Sequence, residues 1–233
     1  MDKHFELVTR TVVGYMTSRH AKLMYGLIRW LQPQNVVEVG CFKGYVSLYL
    51  AKALEDEGRG HLWVIDNFSI GSDPSDVHNA MQLAGLANRV TILNGTSRTA
   101  QWPNTVDFAF IDGDHEFEEV VYDCDQAILR GAKCIVLHDT MELPGPKAYC
   151  ELLREQGKGI WDCISVGFDM GLTVFLKRPD ETPMFTMHPD QGKAWYEAQE
   201  KARAAEEARS VATVTETPAT EPMKFVHPVD DGA

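Results

Sequence analysis

The stretch Val36-Val37-Glu38-Val39-Gly40-Cys41-Phe42-Lys43-Gly44-Tyr45 decides the fold of this chain. An apolar run that ends in Glu-x-Gly-x-x-x-Gly predicts a strand, a tight turn and the entrance to a helix. Glycine at 40 and 44 lets the backbone pass close to a ligand where a Cβ would collide, and the new helix opens with unpaired N–H groups. Together these features describe a nucleotide-type pocket. The spacing is not Gly-x-Gly-x-x-Gly, which argues against a dinucleotide pyrophosphate as the ligand. Taken alone, the same residues also read as a purely structural turn.

Upstream, Ser18 is the expected cap of a helix running through Leu31, with Leu23, Leu27, Ile28 and Leu31 at helical spacing and Pro33 ending it. Downstream, strand-like runs at 35–39, 61–65, 90–93, 106–111 and 134–137 alternate with helical patterns at 45–54, 74–86, 116–129 and 146–154. Alternation of this kind predicts an α/β fold: a Rossmann-like, doubly wound, mostly parallel sheet. The runs 163–166 and 172–177 leave no room for a helix between them. They predict an antiparallel hairpin that closes the sheet.

Composition narrows the function classes. A chain of 233 residues with 44% hydrophobic content can build one α/β domain plus an appendage. Its 22 Lys+Arg against 34 Asp+Glu give a net charge of -12, and a surface that repels phosphate backbones disfavours nucleic acid as a partner. Cys41, Cys124, Cys134, Cys150 and Cys163 show no C-x-x-C spacing and read as buried thiols of a reducing compartment. No leader and no membrane-length apolar run are visible, so the expectation is a soluble, cytoplasmic protein without a membrane partner. The domain is expected over 1–180 and a polar tail over 181–233, the latter a solvated Ala/Glu-rich helix at 194–209 followed by a disordered segment. Trp195 and Tyr196 carry the competing idea for the tail, a lid or the contact of a homo-oligomer.

In a doubly wound sheet ligands gather at the carboxyl ends of the strands. Asp66 ends the second run, where an acidic side chain can accept from both hydroxyls of a ribose; its alternative is to cap the next segment. The fourth run ends in Ile111-Asp112-Gly113-Asp114-His115 and the fifth in Leu137-His138-Asp139-Thr140. Neighbouring strands would thus bring three carboxylates and two imidazoles to one edge, which is costly unless a cation or a proton neutralises them. Hard oxygen ligands without a thiolate point to Mg²⁺, and the imidazoles leave room for Mn²⁺. Capping by Asp114 and burial of His138 are the bland readings of those two residues.

The turn around Gly40 and Gly44 resembles motif I of the class I S-adenosylmethionine-dependent methyltransferases. Ile-Asp-Gly-Asp-His followed by Leu-His-Asp-Thr and Pro-Gly-Pro is similar to one branch of them, the cation-dependent small-molecule O-methyltransferases. That branch includes catechol-type enzymes and the sugar O-methyltransferases of macrolide and aminocoumarin biosynthesis, and the resemblance covers roughly residues 20–178. It implies the class I methyltransferase fold, S-adenosyl-L-methionine as cofactor, and a divalent cation, magnesium first. Carried over by position, Glu38, Gly40, Gly44, Asp66, Gly95, Ser97 and Asp112 would contact the cofactor, with Gly95 and Ser97 at the adenine. Asp112 and Asp139 would hold the metal, with His138 filling a gap left by Thr140, which stands where these families often supply a third ligand. Asp114 matches a proposed general base of the sugar-modifying enzymes, and His115 falls where catechol-type enzymes place a base lysine.

The implied function is transfer of a methyl group to a hydroxyl of a small acceptor of sugar, polyol or phenol type. Two other classes share parts of the pattern. A nicotinamide-dependent oxidoreductase would use Gly40, Gly44 and Asp66 but leaves the acidic cluster unexplained, and a non-catalytic binding protein would keep the fold as a scaffold. The 67–77 segment has the composition of a flap over the site and encodes no acceptor; methylation at the nitrogen of a small amine is a further reading these residues leave open.

Overall fold

The computed structural model describes residues 3–167 and 169–179 and, further on, residues 197, 198, 201, 204 and 205. The chain divides into two compact units, Met1–Lys193 and Ala194–Ala233. In the second unit the described residues are helical and exposed, as an Ala/Glu-rich surface helix should be. Trp195, Tyr196 and the stretch from 206 onward lie outside the described residues.

The first unit is built on one seven-stranded sheet. Its strands are β1 (Asn35–Val39), β2 (His61–Asp66), β3 (Val90–Asn94), β4 (Phe108–Ile111), β5 (Cys134–His138), β6 (Trp161–Val166) and β7 (Leu172–Lys177). They lie in the order β3-β2-β1-β4-β5-β7-β6. The first five are parallel, while β7 runs antiparallel between β5 and β6. Strands buried on both faces read as continuous apolar runs, and β4 and β5 are buried at every position. The order reverses between β1 and β4, which opens a crevice at their carboxyl ends. The sheet is therefore the expected doubly wound one with its antiparallel closure.

The helices are α1 (Lys3–Thr11), α2 (Ser18–Leu31), α3 (Tyr45–Asp56), α4 (Pro74–Leu83), α5 (Phe117–Leu129) and α6 (Pro144–Gln156). Two pairs pack together, α2 with α3 and α5 with α6. The largest buried side chains, among them Phe108, Phe110, Leu48, Leu50, Leu54, Met24 and Tyr149, come from the central strands and these helices.

Several expectations need correction. Ser18 is the first residue of α2 and not its cap; Thr17 takes that position, and its hydroxyl donates to Asp169 Oδ2 at 2.7 Å instead of to the helix. α4 stops at Leu83 rather than 86, because Gly85 turns left-handed at φ +70°. β4 starts at Phe108 rather than 106, since Val106 N–H is taken by Arg130 O and the Asp107 carboxylate by the N–H groups of Gln34 and Asn35. α6 starts at Pro144 rather than 146: a proline fits the first turn, where its missing N–H costs nothing. The nine-residue α1 was not expected at all, although it buries Phe5 and Val8.

Candidate functional site

A cavity of about 810 Å³ opens at the carboxyl ends of the parallel strands. Each strand of the parallel set sends residues to it: Glu38 and Gly40 from β1, Asp66 from β2, Gly95 and Ser97 from beyond β3, Asp112, Asp114 and His115 from beyond β4, and His138 and Asp139 from β5. Of the positions expected to form the site, only Gly44 is not on the wall; it caps α3 in the left-handed region at φ +83°.

Gly40 proves more constrained than a ligand alone would require. Its φ is +81°, and a Cβ there would lie 2.1 Å from the carbonyl oxygen of Asp112 and 2.7 Å from Cα of Gly113. The close approach is to the protein's own β4 end. This glycine locks the cofactor-type turn against the strand that carries Asp112, a role the sequence reading gave to a ligand.

Asp66 also differs from the open hook expected. Its Oδ2 accepts from the N–H groups of Cys41 at 2.7 Å and Phe42 at 2.9 Å, and its Oδ1 accepts from Phe68 N–H at 2.6 Å. A carboxylate offers about four acceptor positions, so one remains for a ribose hydroxyl. The side chain braces the turn after β1 and caps the start of the 67–77 segment as well as facing the cavity.

Glu38 is fully buried. Its Oε2 accepts from the Ser47 hydroxyl, while Oε1 has no hydrogen-bond partner among the described residues. Burial pushes its carboxyl up to about 8 against the pull of Ser47. A buried, half-satisfied carboxyl on a cavity wall is what a ligand with N–H or O–H groups would complete.

At the other end of the crevice the charged groups meet. His138 Nδ1 lies 3.1 Å from Asp112 Oδ1 and 2.8 Å from Asp139 Oδ1, and His115 Nε2 lies 2.8 Å from Asp139 Oδ2 and 3.8 Å from Asp112 Oδ1. The Asp112 and Asp139 carboxylates raise His115 to about 9. Burial pulls His138 down, but the same carboxylates win and hold it near 10. Asp139 is likewise raised by burial, yet its two imidazole partners hold it well below the ordinary carboxylate range. Asp139 sits at φ +58°, a conformation rare for a residue with a Cβ and found where surrounding structure imposes it.

One ligand atom each from Asp112, His138 and Asp139 falls within 4.8 Å of the others. Two carboxylates and an imidazole suit Mg²⁺ or Mn²⁺, so the donor set fits a divalent cation. Asp114 is exposed and its Oδ1 accepts from Glu116 N–H at 2.9 Å, so it braces the entrance of α5 while lining the cavity. Thr140 turns away: its hydroxyl accepts from Thr173 Oγ1 at 2.9 Å, tying β5 to β7.

Among the residues that were not anticipated, two titratable ones stand out, one beside the site and one on its wall. His20, buried in α2, stacks edge-on against His138 with ring centroids 5.0 Å apart and has Nδ1 3.7 Å from Asp169 Oδ2. Asp123, in the middle of α5, is 1% exposed yet lines the cavity. Its sequence signal was available: it lies three residues after buried Val120 and four before buried Ala127, on the apolar stripe of an amphipathic helix.

Comparison with known proteins agrees with this geometry. Residues 37–140 match a family described as a methyltransferase domain. Caffeoyl-CoA O-methyltransferase 2 of Petunia hybrida is 29% identical over 100 residues, which is 39% of this chain and 39% of that protein. The match thus spans well under half the length of that relative. Among solved structures, the O-methyltransferase of Bacillus cereus in complex with SAH superposes with a TM-score of 0.58 at 16% identity, covering 76% of this chain and 92% of that one. TomG of Streptomyces achromogenes, an O-methyltransferase involved in tomaymycin synthesis and bound to SAM, gives 0.57 at 20% identity, covering 76% and 90%. At such identities the superpositions speak for the fold. The residues from the turn at Gly40 to the cluster on β4 and β5 fall within the stretch, 37–140, that is similar to a methyltransferase domain, and the sheet has the fold of the solved O-methyltransferases.

Proposed function

We propose that this chain is an O-methyltransferase that uses S-adenosylmethionine and a divalent cation, Mg²⁺ first, to methylate a hydroxyl of a small sugar, polyol or phenol. The observation that carries the reading is the group Asp112, His138 and Asp139 on the wall of the cavity that the Glu38–Gly40 turn also lines. The relatives' names, caffeoyl-CoA for the Petunia protein and tomaymycin synthesis for TomG, point to small-molecule acceptors.

S-adenosylmethionine brings an electrophilic methyl group, and a divalent cation supplies Lewis acidity toward an acceptor hydroxyl. The rest falls to the chain. The turn after β1 admits the methionine end beside Glu38, while Asp66 takes the ribose through its remaining acceptor position and Gly95 and Ser97 flank the adenine. Asp112 and Asp139, with His138 from the β5 side, would hold the cation, which would supply an anchor for the acceptor hydroxyl. Asp114 would take the hydroxyl proton, or His115 would once a bound cation had taken over the Asp112 and Asp139 carboxylates that keep its imidazole protonated. The methyl would pass to that oxygen as its bond to sulfur breaks, with S-adenosylhomocysteine as the other product. The 67–77 segment, which contributes Asn67, Ser69 and Ile70 to the cavity wall, closes the mouth against water.

The test is release of S-adenosylhomocysteine from S-adenosylmethionine in the presence of a panel of catechols, sugars and polyols. Turnover should vanish with a chelator and return with Mg²⁺ or Mn²⁺. Full turnover in chelator would overturn the cation assignment.

A further inference from the structure

This inference rests on the reading of the cavity as an S-adenosylmethionine site and adds a residue to it. Asp123 is the least expected group on the wall. It lies on the stretch of α5 that also buries Val120, Cys124 and Ala127, and 1% of its surface is exposed. Its Oδ1 has no hydrogen-bond partner among the described residues. Burial pushes its carboxyl up to about 7, with a hydrogen bond from Ser97 pulling the other way. Leaving a buried carboxyl oxygen unsatisfied is costly, and native proteins rarely do so without a ligand, an ion or a water to complete it.

The neighbours narrow what completes it. Arg98, the adjacent cation on the wall, is engaged elsewhere: its guanidinium Nε lies 2.9 and 2.8 Å from the two oxygens of Glu119, and the group stacks over Tyr122 at 4.3 Å. A metal is disfavoured, because Asp123 belongs to no group of three ligating side chains among the described residues. On the wall of a cavity read as a cofactor site, an uncharged N–H or O–H donor delivered by a ligand fits this acceptor. Asp123 lies beside Ser97, and its Oδ2 is 3.7 Å from the place a Cβ on Gly113 would occupy. It therefore sits where the β3 and β4 loops meet, the end of the cavity formed by Gly95 and Ser97 and not the end formed by the Gly40 turn. If the methionine part of the cofactor enters at the turn, the base reaches Asp123.

We propose that Asp123 Oδ1 accepts a hydrogen bond from the exocyclic amino group of adenine and makes the site selective for a 6-amino over a 6-oxo purine. With Asp123 ionised, in titrations run above the pH of about 7 to which burial raises its carboxyl, a 6-oxo purine would set a carbonyl oxygen against a carboxylate oxygen, acceptor against acceptor. Sites built around a buried hydrogen-bonding group discriminate strongly against ligands that leave it unpaired.

The experiment is calorimetric titration of the full-length chain with S-adenosylhomocysteine and with S-inosylhomocysteine. The wild type should prefer the adenine compound by about 10- to 100-fold, the range expected for one hydrogen bond to a charged group. Asp123→Leu should erase that preference by weakening S-adenosylhomocysteine alone. Asp123→Asn, whose amide can turn an N–H toward a 6-oxo group, should shift the preference toward S-inosylhomocysteine, and it keeps the test alive should the leucine variant not fold. Equal binding of both compounds by the wild type, or variants that weaken both equally, would overturn the assignment and make Asp123 structural. A wild type that binds neither compound would instead remove the cofactor reading on which the proposal rests.

Discussion

Replacing Gly40 by alanine should destabilise the ligand-free protein, and the structure sets the size of the effect. The new Cβ would stand 2.1 Å from Asp112 O, 2.5 Å from Asp112 C and 2.7 Å from Cα of Gly113, all backbone atoms at the end of β4. A carbon–oxygen contact needs about 3.3 Å, so one of the two segments must move by roughly 1 Å. The bonds at risk are Gly40 N–H to Ile65 O at 2.9 Å and Asp112 N–H to Val39 O at 2.8 Å, each contributing about 1 kcal/mol net. Left-handed backbone at φ +81° adds about 1–2 kcal/mol for a residue with a Cβ. The expected loss is about 3–4 kcal/mol, a large part of the roughly 5–15 kcal/mol that holds a domain together. Gly44→Ala is the control. Its φ is +83°, but its Cβ would meet the methyl groups of Val77 at 3.2 and 3.3 Å and Val77 Cα at an ordinary 3.5 Å, so the backbone strain of about 1–2 kcal/mol is most of its cost. Urea unfolding of the two variants without ligand reads the difference, and a Gly40→Ala that costs no more than Gly44→Ala would refute the argument that this turn is locked onto β4.

Asp66→Ala should lower ligand-free stability by about 2–3 kcal/mol, because three backbone N–H groups of Cys41, Phe42 and Phe68 lose their acceptor; unchanged urea unfolding would mean that these bonds contribute nothing. Asp112→Asn and Asp139→Asn should each weaken Mn²⁺ binding by more than about tenfold in a metal titration, since each removes one of three clustered ligands; retained affinity in either would break the proposed ligand set. Glu38 gives a pH prediction. Its folded-state pKa of about 8 stands above the ordinary 4.5, so the folded protein binds the extra proton between those values and the wild type loses stability as pH rises through that window. Glu38→Gln keeps the acceptor for Ser47 and removes the titration, so its stability advantage over the wild type should grow from pH 5 to pH 8; a pH-independent difference would show that Glu38 ionises freely.

The parallel sheet was legible because its strands are buried on both faces and so appear as unbroken apolar runs, each followed by a helical pattern. The acidic cluster was legible because its members end two such runs. What escaped the sequence lies in how backbone groups are satisfied. Asp66 and Asp107 look alike as acids beside a strand, yet both serve backbone N–H groups across long sequence separations, and no local pattern reports such partners. The left-handed Gly85 shortens α4, a choice that Leu86 at helical spacing conceals. α1 is short and charged, and its burial of Phe5 depends on Tyr49 in α3, whose ring stands 5.3 Å away edge-on. Asp123 escaped because an acid within a helix reads as a solvated face, unless its place on the apolar stripe is weighed first.

Which nucleotide the cavity takes decides between a methyltransferase and a dinucleotide-binding protein. Titration of the full-length protein with S-adenosylhomocysteine and with NAD, each with and without Mg²⁺, is the most direct measurement. One S-adenosylhomocysteine per chain and no heat from NAD is the result predicted by a turn without the third glycine and by the buried Glu38 carboxyl beside it, which offers an acceptor to an ammonium and none of the donors a pyrophosphate needs. Binding of NAD without any S-adenosylhomocysteine signal would contradict it.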